Sequence, residues 1–513
     1  MKELIKLNVR TQRQDAEKCK VDLLAVGMFA GTRRLDALAD RLDRKLRGAI
    51  KRVLELGDFK GKEAASTVIY SGGAIAARRV MLVGLGDKKE PALDALRKAA
   101  ATVAGTAVNI KARSAALCLH QAFPDNLDLA EAGRAITEGV FFGSYRYDEF
   151  VSGSEDGRSA QLQVTLLDSD PAKVKLLQAG WQTGEIIGRA QSYARTLANR
   201  PGNLINPAAL AEEAAKLAAE TAGLTCTVLD EKKLAAKQMN GILAVGSGSQ
   251  NKPRLIILQY KGADEAADAA IALVGKAITF DSGGICIKPS ANLDQMKFDK
   301  SGGIAVLATL KAVAELKLKL NVWGLVPAAE NMPSGTSYRP GDIIKTYSGK
   351  TVEVQNTDAE GRMILCDALA YAAEQQCDPI IDMATLTGAC MVALGRYHAG
   401  LMGNSDELMK QLQQAATDSG EKVWLMPSGR EYLEEMKSKI ADLKNIGSKW
   451  GGACTGAAFL GQFVGKAKWA HLDIAGMDLI EKTTEFAAEG SSGYGVRLLT
   501  AYLINRQKIN TPD

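Results

Sequence analysis

The sequence predicts an α/β protein of two domains, each a mixed sheet flanked by helices, the C-terminal one with a central, mostly parallel sheet. Three observations carry this expectation. The 513 residues exceed what one hydrophobic core organises. Short apolar runs alternate with segments of helical spacing along the chain. Fifty glycines without a short period supply tight turns between them.

Val21 to Met28, Arg79 to Leu85 and Ala115 to Leu119 read as apolar strands, Leu93 to Ala107 as a helix, and Gln161 to Leu167 as a closing strand. Ser152 to Ser159 is polar and rich in Gly and Ser, and reads as a loop. Lys173 to Leu197 has the spacing of a long helix, stopped by Asn199 to Pro207 (NRPGNLINP). The theme then repeats. Arg254 to Gln259, Ala270 to Val274, Val322 to Val326 and Pro379 to Met383 read as buried strands, and Gly302 to Leu316 and Met363 to Glu374 as helices. The expected division is residues 1–170 as an N-terminal α/β domain, 171–198 as a linking helix and 199–513 as a second domain. Ligands of such sheets bind beyond the carboxyl ends of the strands.

Composition excludes several classes. A formal charge of +5 is small for this length, and no basic stripe with interleaved aromatics indicates nucleic acid. No apolar run approaches the roughly 18 residues of a membrane span. Met1 to Leu7 alternates charged and apolar residues, unlike a signal peptide. The eight cysteines are scattered without a C-x-x-C pair and read as small buried hydrophobes in a reducing cytoplasm. Three histidines, His120, His398 and His471, allow no H-x-x-x-H zinc motif and stand near no nucleophile elbow. Gly84-Leu85-Gly86 lacks the third glycine of a dinucleotide fingerprint, since Lys89 occupies that place. Gly275-Lys276 fails as a phosphate loop, with Ala270 and Ala277 at the defining positions.

Two segments carry chemistry. In Leu273 to Asp299 (LVGKAITFDSGGICIKPSANLDQMKFD), Lys276 closes a buried strand, Asp281 follows a short turn, and Gly283, Gly284, Lys288 and Asp299 come after. The second is Asn356 to Arg362, NTDAEGR. An extended run from Asp358 to Arg362 would point Asp358, Glu360 and Arg362 the same way. The apolar spacing of Ile364, Leu365, Ala368, Leu369 and Ala372 then starts a helix whose N-terminus favours an anion near Arg362. Singly, a strand-end Asp is a cap and a lone Lys is surface. Together, four carboxylates and two lysines point to dications, which remove the cost of burying carboxylates. Oxygen ligands suit magnesium, manganese and, less strongly, zinc. Two ions roughly 3.5–4 Å apart can share a bridging water. A lysine can join such a ligand set when neutral.

NTDAEGR and VGKAITFDSGG closely resemble signatures of the leucyl aminopeptidases, the M17 peptidases, as do ARTLANRPGNLINP (194–207), PAAENMPSGTSYRPGD (327–342), ATLTG (384–388) and WAHLDIAG (469–476). The resemblance spans the second half; the first matches in size and α/β character, as a macro-like domain for assembly or regulation. It implies a metal-dependent aminopeptidase that removes N-terminal leucine or other apolar residues by attack of a metal-bridging water. It implies that Lys276, Asp281, Asp299 and Glu360 hold a tighter metal, and that Asp281, Asp358 and Glu360 hold an exchangeable one, both Mn2+ or Zn2+. It makes Lys288 the group that polarises the scissile carbonyl and Arg362 the holder of a bicarbonate acting as general base. Met296, Thr385, Gly388 and Ala475 fall at substrate-binding positions. It further implies a cytoplasmic homohexamer, a dimer of trimers, acting on peptides. Met363, Lys300 and Asp478 depart from the family pattern: Leu is common at the first, apolar residues at the others. A two-metal phosphoesterase is a competing reading, disfavoured by the missing histidines. So is a DNA-binding hexamer, which gives no reason to keep a full ligand set.

Overall fold

The structure, a computed structural model, describes residues 6–89, 92–124, 126–152, 161–263 and 269–510. Two compact units result: Met1–Ser192 together with Ile480–Gly490, and Tyr193–Leu479 together with Ser491–Asp513. The division falls inside the long helix expected at 173–197, and a short C-terminal segment returns to the first unit.

The first unit contains β1 (Lys6–Arg13), β2 (Leu23–Met28), α1 (Ala37–Lys45), α2 (Ala49–Glu55), β3 (Ser66–Tyr70), β4 (Arg79–Gly84), α3 (Ala92–Asn109), β5 (Ser114–Leu117), α4 (Leu129–Ser144), β6 (Gln161–Asp168) and most of α5 (Pro171–Asn199). Its sheet runs β1-β6-β5-β2-β4-β3, parallel except for β3. β2 (LLAVGM) is buried at every position, which is why it reads as an unbroken apolar run. The strand expected over Ala115 to Leu119 ends at Leu117, where a short helical turn begins. Of the polar stretch 152–159, all but Ser152 lies outside the described residues.

The second unit opens where Asn206 caps α6 (Pro207–Glu220) by accepting the Ala209 N–H, with proline at the first helical position. There follow β7 (Leu224–Leu229), α7 (Glu231–Ala236), α8 (Asn240–Gly246), β8 (Arg254–Lys261), β9 (Ile271–Gly275), β10 (Ala277–Asp281), α9 (Ser301–Leu316) and β11 (Asn321–Asn331). Next come β12 (Ile343–Lys345), β13 (Thr351–Glu353), α10 (Glu360–Glu374), β14 (Ile380–Ala384), α11 (Gly388–Leu394), β15 (Ala399–Gly403), α12 (Asp406–Ser419) and β16 (Val423–Leu425). The unit closes with α13 (Arg430–Glu434), β17 (Leu443–Lys444), α14 (Gly452–Leu460), β18 (Trp469–Asp473) and α15 (Val496–Asn510). Its large sheet runs β16-β15-β18-β14-β9-β11-β8-β7. The central strands β18, β14, β9 and β11 are parallel; β15, and the β8–β7 side, join antiparallel. The sheet is therefore mixed, with a parallel centre and a second parallel pair, β15 with β16, at one edge.

Two local expectations are corrected. Asp281 does not follow a turn. Lys276 sits between β9, which pairs with β14 and β11, and β10, which continues along β11 alone. Its N–H donates to Met383 O (3.0 Å) and its C=O accepts from Gly303 N (2.7 Å), so the chain stays extended while changing neighbours. Nor is Asp358 to Arg362 extended. The Asn356 side chain accepts the Asp358 N–H (2.8 Å), folding a turn, and α10 begins at Glu360.

Candidate metal centre

The charged residues meet at the carboxyl ends of the central strands. Lys276 leaves β9, Asp281 ends β10, Asp299 precedes α9, Asp358 lies in the turn before α10, and Glu360 opens that helix. Ligand oxygens of Asp281, Asp358 and Glu360 all lie within 4.8 Å of one another. Lys276 Nζ is 2.9 Å from Asp299 Oδ1 and 2.7 Å from Glu360 Oε1, and it donates to Thr385 O at 2.9 Å. Lys288 Nζ is 2.9 Å from Asp281 Oδ2 and pairs with Asp358 Oδ1. The two lysines thus stand at opposite sides of one carboxylate group. Lys276 is 3% exposed and Lys288 22% exposed.

Two glycines make this approach possible. Gly361 follows Glu360, and a methyl group there would lie 2.7 Å from Lys276 Nζ. Gly283 has φ +86°, and its added carbon would meet Cys286 O at 2.4 Å and Asp358 Oδ1 at 3.0 Å.

The electrostatics are those of too many carboxylates in a dry site. Burial raises the Asp299 carboxyl well above its usual range, and Lys276 only partly offsets this. Burial and then Asp281 raise Glu360 and Asp358. Burial opposes the charge on Lys276, yet Asp299, Glu360 and Asp281 outweigh it and hold the ammonium above the lysine range. The same contest at Lys288, against Asp281, Glu360 and Asp358, also ends upward.

The residues fit divalent ions. Asp299 Oδ2 is buried without a hydrogen-bond partner, and such an oxygen is costly unless a cation or donor reaches it. Arg362, in the first turn of α10, is 6% exposed. Its Nε and Nη1 have no hydrogen-bond partner among the described residues, and burial pulls the guanidinium down to about 10. Unused donors on a buried cation at a helix N-terminus make a receptor for a small anion.

Thr385, just beyond β14, donates from Oγ1 to Asp299 Oδ1 (2.6 Å). Ala475 follows β18 and donates its N–H to Asp473 Oδ1 (3.3 Å). Met296 lies in the helical turn Leu293–Phe298 that delivers Asp299, and Gly388 is exposed at the start of α11. Asp478 is buried, which raises its carboxyl to about 7. Lys300 has no exposed surface, and burial opposes its charge.

Supporting residues escaped sequence reasoning. Asn331, the last residue of β11, donates from Nδ2 to Asp281 Oδ1 (2.8 Å) and Thr357 O (3.0 Å). Thr357 Oγ1 donates to Gly283 O (2.6 Å) and accepts the Cys286 N–H (2.8 Å), while Tyr338 donates to Thr357 O (2.8 Å). Asp473 accepts from Thr387 Oγ1 (2.6 Å) and the Leu386 N–H (3.1 Å), fixing the loop after β14. An Asn ending an apolar strand carries no signal of this duty. Asp473 sits in WAHLDIAG, where its burial could have been suspected.

Carboxylates and two lysines converging at strand ends are the lining a divalent-cation site of a mixed α/β enzyme requires, and comparison with known proteins specifies the class. Residues 192–500 match the cytosol aminopeptidase family, catalytic domain, and 25–154 match its N-terminal domain. A probable cytosol aminopeptidase of Aquifex aeolicus (strain VF5) is 43% identical over 97% of this chain and 98% of its own. One of Geotalea uraniireducens (strain Rf4) is 44% identical over 90% and 93%. Among solved structures, a tomato leucine aminopeptidase mutant superposes with TM-score 0.89 at 34% identity over 98% of each chain. The bottromycin maturation enzyme BotP in complex with Mn gives 0.81 at 32%, over 95% of this chain and 99% of that one. The chain belongs to the cytosol aminopeptidase family, the M17 leucyl aminopeptidases, and is a metal-dependent aminopeptidase acting on peptides.

Proposed function

We propose that the chain removes N-terminal leucine and other apolar residues from peptides, using two divalent ions, Mn2+ or Zn2+, at the carboxylate group. The observation that carries this reading is the convergence of Asp281, Asp358 and Glu360 oxygens within 4.8 Å, with Lys276 and Asp299 adjoining. Asp281 and Glu360 would be shared by both ions, Lys276 and Asp299 would complete one ligand set, and Asp358 the other. When bound, the ions supply Lewis-acid polarisation and a water acidic enough to be deprotonated near neutral pH. Lys276 would serve as a ligand in its neutral form, which dications beside its carboxylate partners would favour.

Lys288 does different work. Its ammonium is part-exposed at the mouth, where it meets the peptide carbonyl oxygen and the negative charge that grows there during attack. Arg362 would hold a bicarbonate through Nε and Nη1, and that anion would serve as the general base. Met296, Thr385, Gly388 and Ala475 line the recess for the first side chain. Residues 199–513 act as the catalytic domain, 171–198 as the connecting helix and 1–170 in assembly. The working form is a cytoplasmic homohexamer, a dimer of trimers; no helix among the described residues is long and apolar enough to cross a membrane.

The test is hydrolysis of aminoacyl chromogenic substrates by chelator-treated protein. Activity should return with manganese, cobalt or zinc, be greatest on leucine, and vanish on the N-acetylated substrate. Full activity in protein shown by metal analysis to be metal-free would refute the two-metal reading. Light scattering that finds a fully active monomer would refute the hexamer.

A further inference from the structure

Lys300 follows Asp299 directly, and its side chain is fully buried. A buried lysine demands partners. Its Nζ donates to three main-chain carbonyls: Ala198 (3.0 Å), Arg200 (2.9 Å) and Lys297. The neighbouring Asp299 carboxylate is instead engaged by Lys276 and Thr385. Ala198 lies in the last turn of α5 and Arg200 directly follows the helix, at the end that carries partial negative charge. Lys297 belongs to the turn Leu293–Phe298 that leads into Asp299. An ammonium has three donors, and here each has its own acceptor.

Convergent carbonyls without a carboxylate are the surroundings a monovalent cation takes when oxygens replace its hydration shell. We propose that Lys300 is a tethered cation: its ammonium fills a monovalent-cation cage formed by the carbonyls of Ala198, Arg200 and Lys297, and so fixes the Asp299 turn without an ion from solution. It is a positioning residue, acting on the carboxylate site through the backbone on either side of Asp299. That Asp299 holds a metal rests on the proposed function. The cage itself does not, and melting of metal-free protein tests it separately.

Lys300→Met keeps the length of the stem and removes the charged head. Wild-type and variant protein, stripped with chelator, are melted in potassium, ammonium or tetramethylammonium chloride at equal ionic strength. Wild type should melt at the same temperature in all three. The variant should melt at least about 4 °C lower in tetramethylammonium, as expected for stranded buried carbonyls, and should recover most of that loss in potassium or ammonium, which fit the vacated cage. Manganese affinity of the variant should be about tenfold weaker in tetramethylammonium and return with potassium. A variant as stable as wild type in tetramethylammonium would overturn the proposal, and so would a deficit identical in every salt. If Lys300→Met does not fold, Lys300→Gln decides. A Gln variant destabilised in tetramethylammonium and rescued by potassium supports the cage. One at wild-type stability throughout, one that no salt rescues, or failure of both variants to fold in every salt overturns it.

Discussion

Both units bury charge, but they balance it differently. In the first, buried polar groups meet in close pairs: Arg97 Nε lies 2.6 Å from Glu138 Oε2, and His120 Nε2 lies 2.9 Å from Asp168 Oδ2. In the second, the four carboxylates Asp281, Asp299, Asp358 and Glu360 share the two ammonium groups of Lys276 and Lys288. Paired burial yields a rigid core with no surplus charge to attract a ligand. Burial, and then the surplus of negative charge, raise these carboxylates, and Asp299 Oδ2 has no hydrogen-bond partner among the described residues. The excess, rather than burial itself, separates a site from a strut.

The sharpest test exchanges one member from each arrangement. Asp281→Ala or Glu360→Ala should lower kcat/KM by at least about 10³-fold, because each residue is placed to serve both ions. Arg97→Ala should instead leave kcat per folded molecule nearly unchanged and lower stability by roughly 3 kcal/mol, since Glu138 loses its close partner. Calorimetry and steady-state kinetics on the variants read both axes. An Arg97 variant that loses its activity while melting like wild type would break the distinction.

Within the site the two lysines divide next. Lys288→Ala should lower kcat by a factor on the order of 10²–10³, as for loss of an oxyanion donor, with metal content preserved. Lys276→Ala should lose metal as well as rate, since its Nζ joins Asp299 to Glu360. Metal analysis beside kinetics decides, and the assignment is reversed if the Lys288 variant arrives metal-free while the Lys276 variant keeps both ions. Arg362→Ala should cost about 10²-fold, retain its metals, and lose any response of the wild type to added bicarbonate. A variant that still responds would remove the anion from Arg362.

Legibility in the sequence followed the same contrast. β2, β9 and β14 were readable because strands buried on both faces are continuous apolar runs. The lysine and carboxylates at 276, 281, 299, 358 and 360 were readable because their spacing has no good structural reason. The break at Lys276 was not, since it depends on which neighbour β10 keeps, a tertiary choice. The turn at Asp358 was missed because the Asn356 side chain overrode an extended run. The supporting bonds of Asn331 and Asp473 reach residues 50 and 86 or more positions away, and neither residue announces its partner. The return of Ile480–Gly490 to the first unit likewise has no local signature.

The smallest effect distinguishes the units by the sign of their response to pH. At Asp168, burial pushes the carboxyl up, but the His120 ring and the Asp170 N–H (2.8 Å) prevail and hold it below the usual range. A depressed carboxyl contributes stability that is present above its unfolded value of about 4 and lost as pH falls through the folded one. Asp367, in α10, also accepts hydrogen bonds, from the Ile242 (3.0 Å) and Tyr347 (2.8 Å) N–H groups, but no cation faces it, and burial raises it to about 7. A raised carboxyl contributes stability that is full below about pH 4 and lost as pH rises through 7. Asp168→Asn should therefore narrow the stability loss of wild type on acidification below about pH 4. Asp367→Asn should remove a fall of at least about 2 °C in Tm between about pH 4 and 7. Metal-free protein of both variants melted from about pH 3 to 8 provides the measurement. If the two pH profiles run parallel to wild type, the buried carboxylates of the two units do not differ in the way their partners imply.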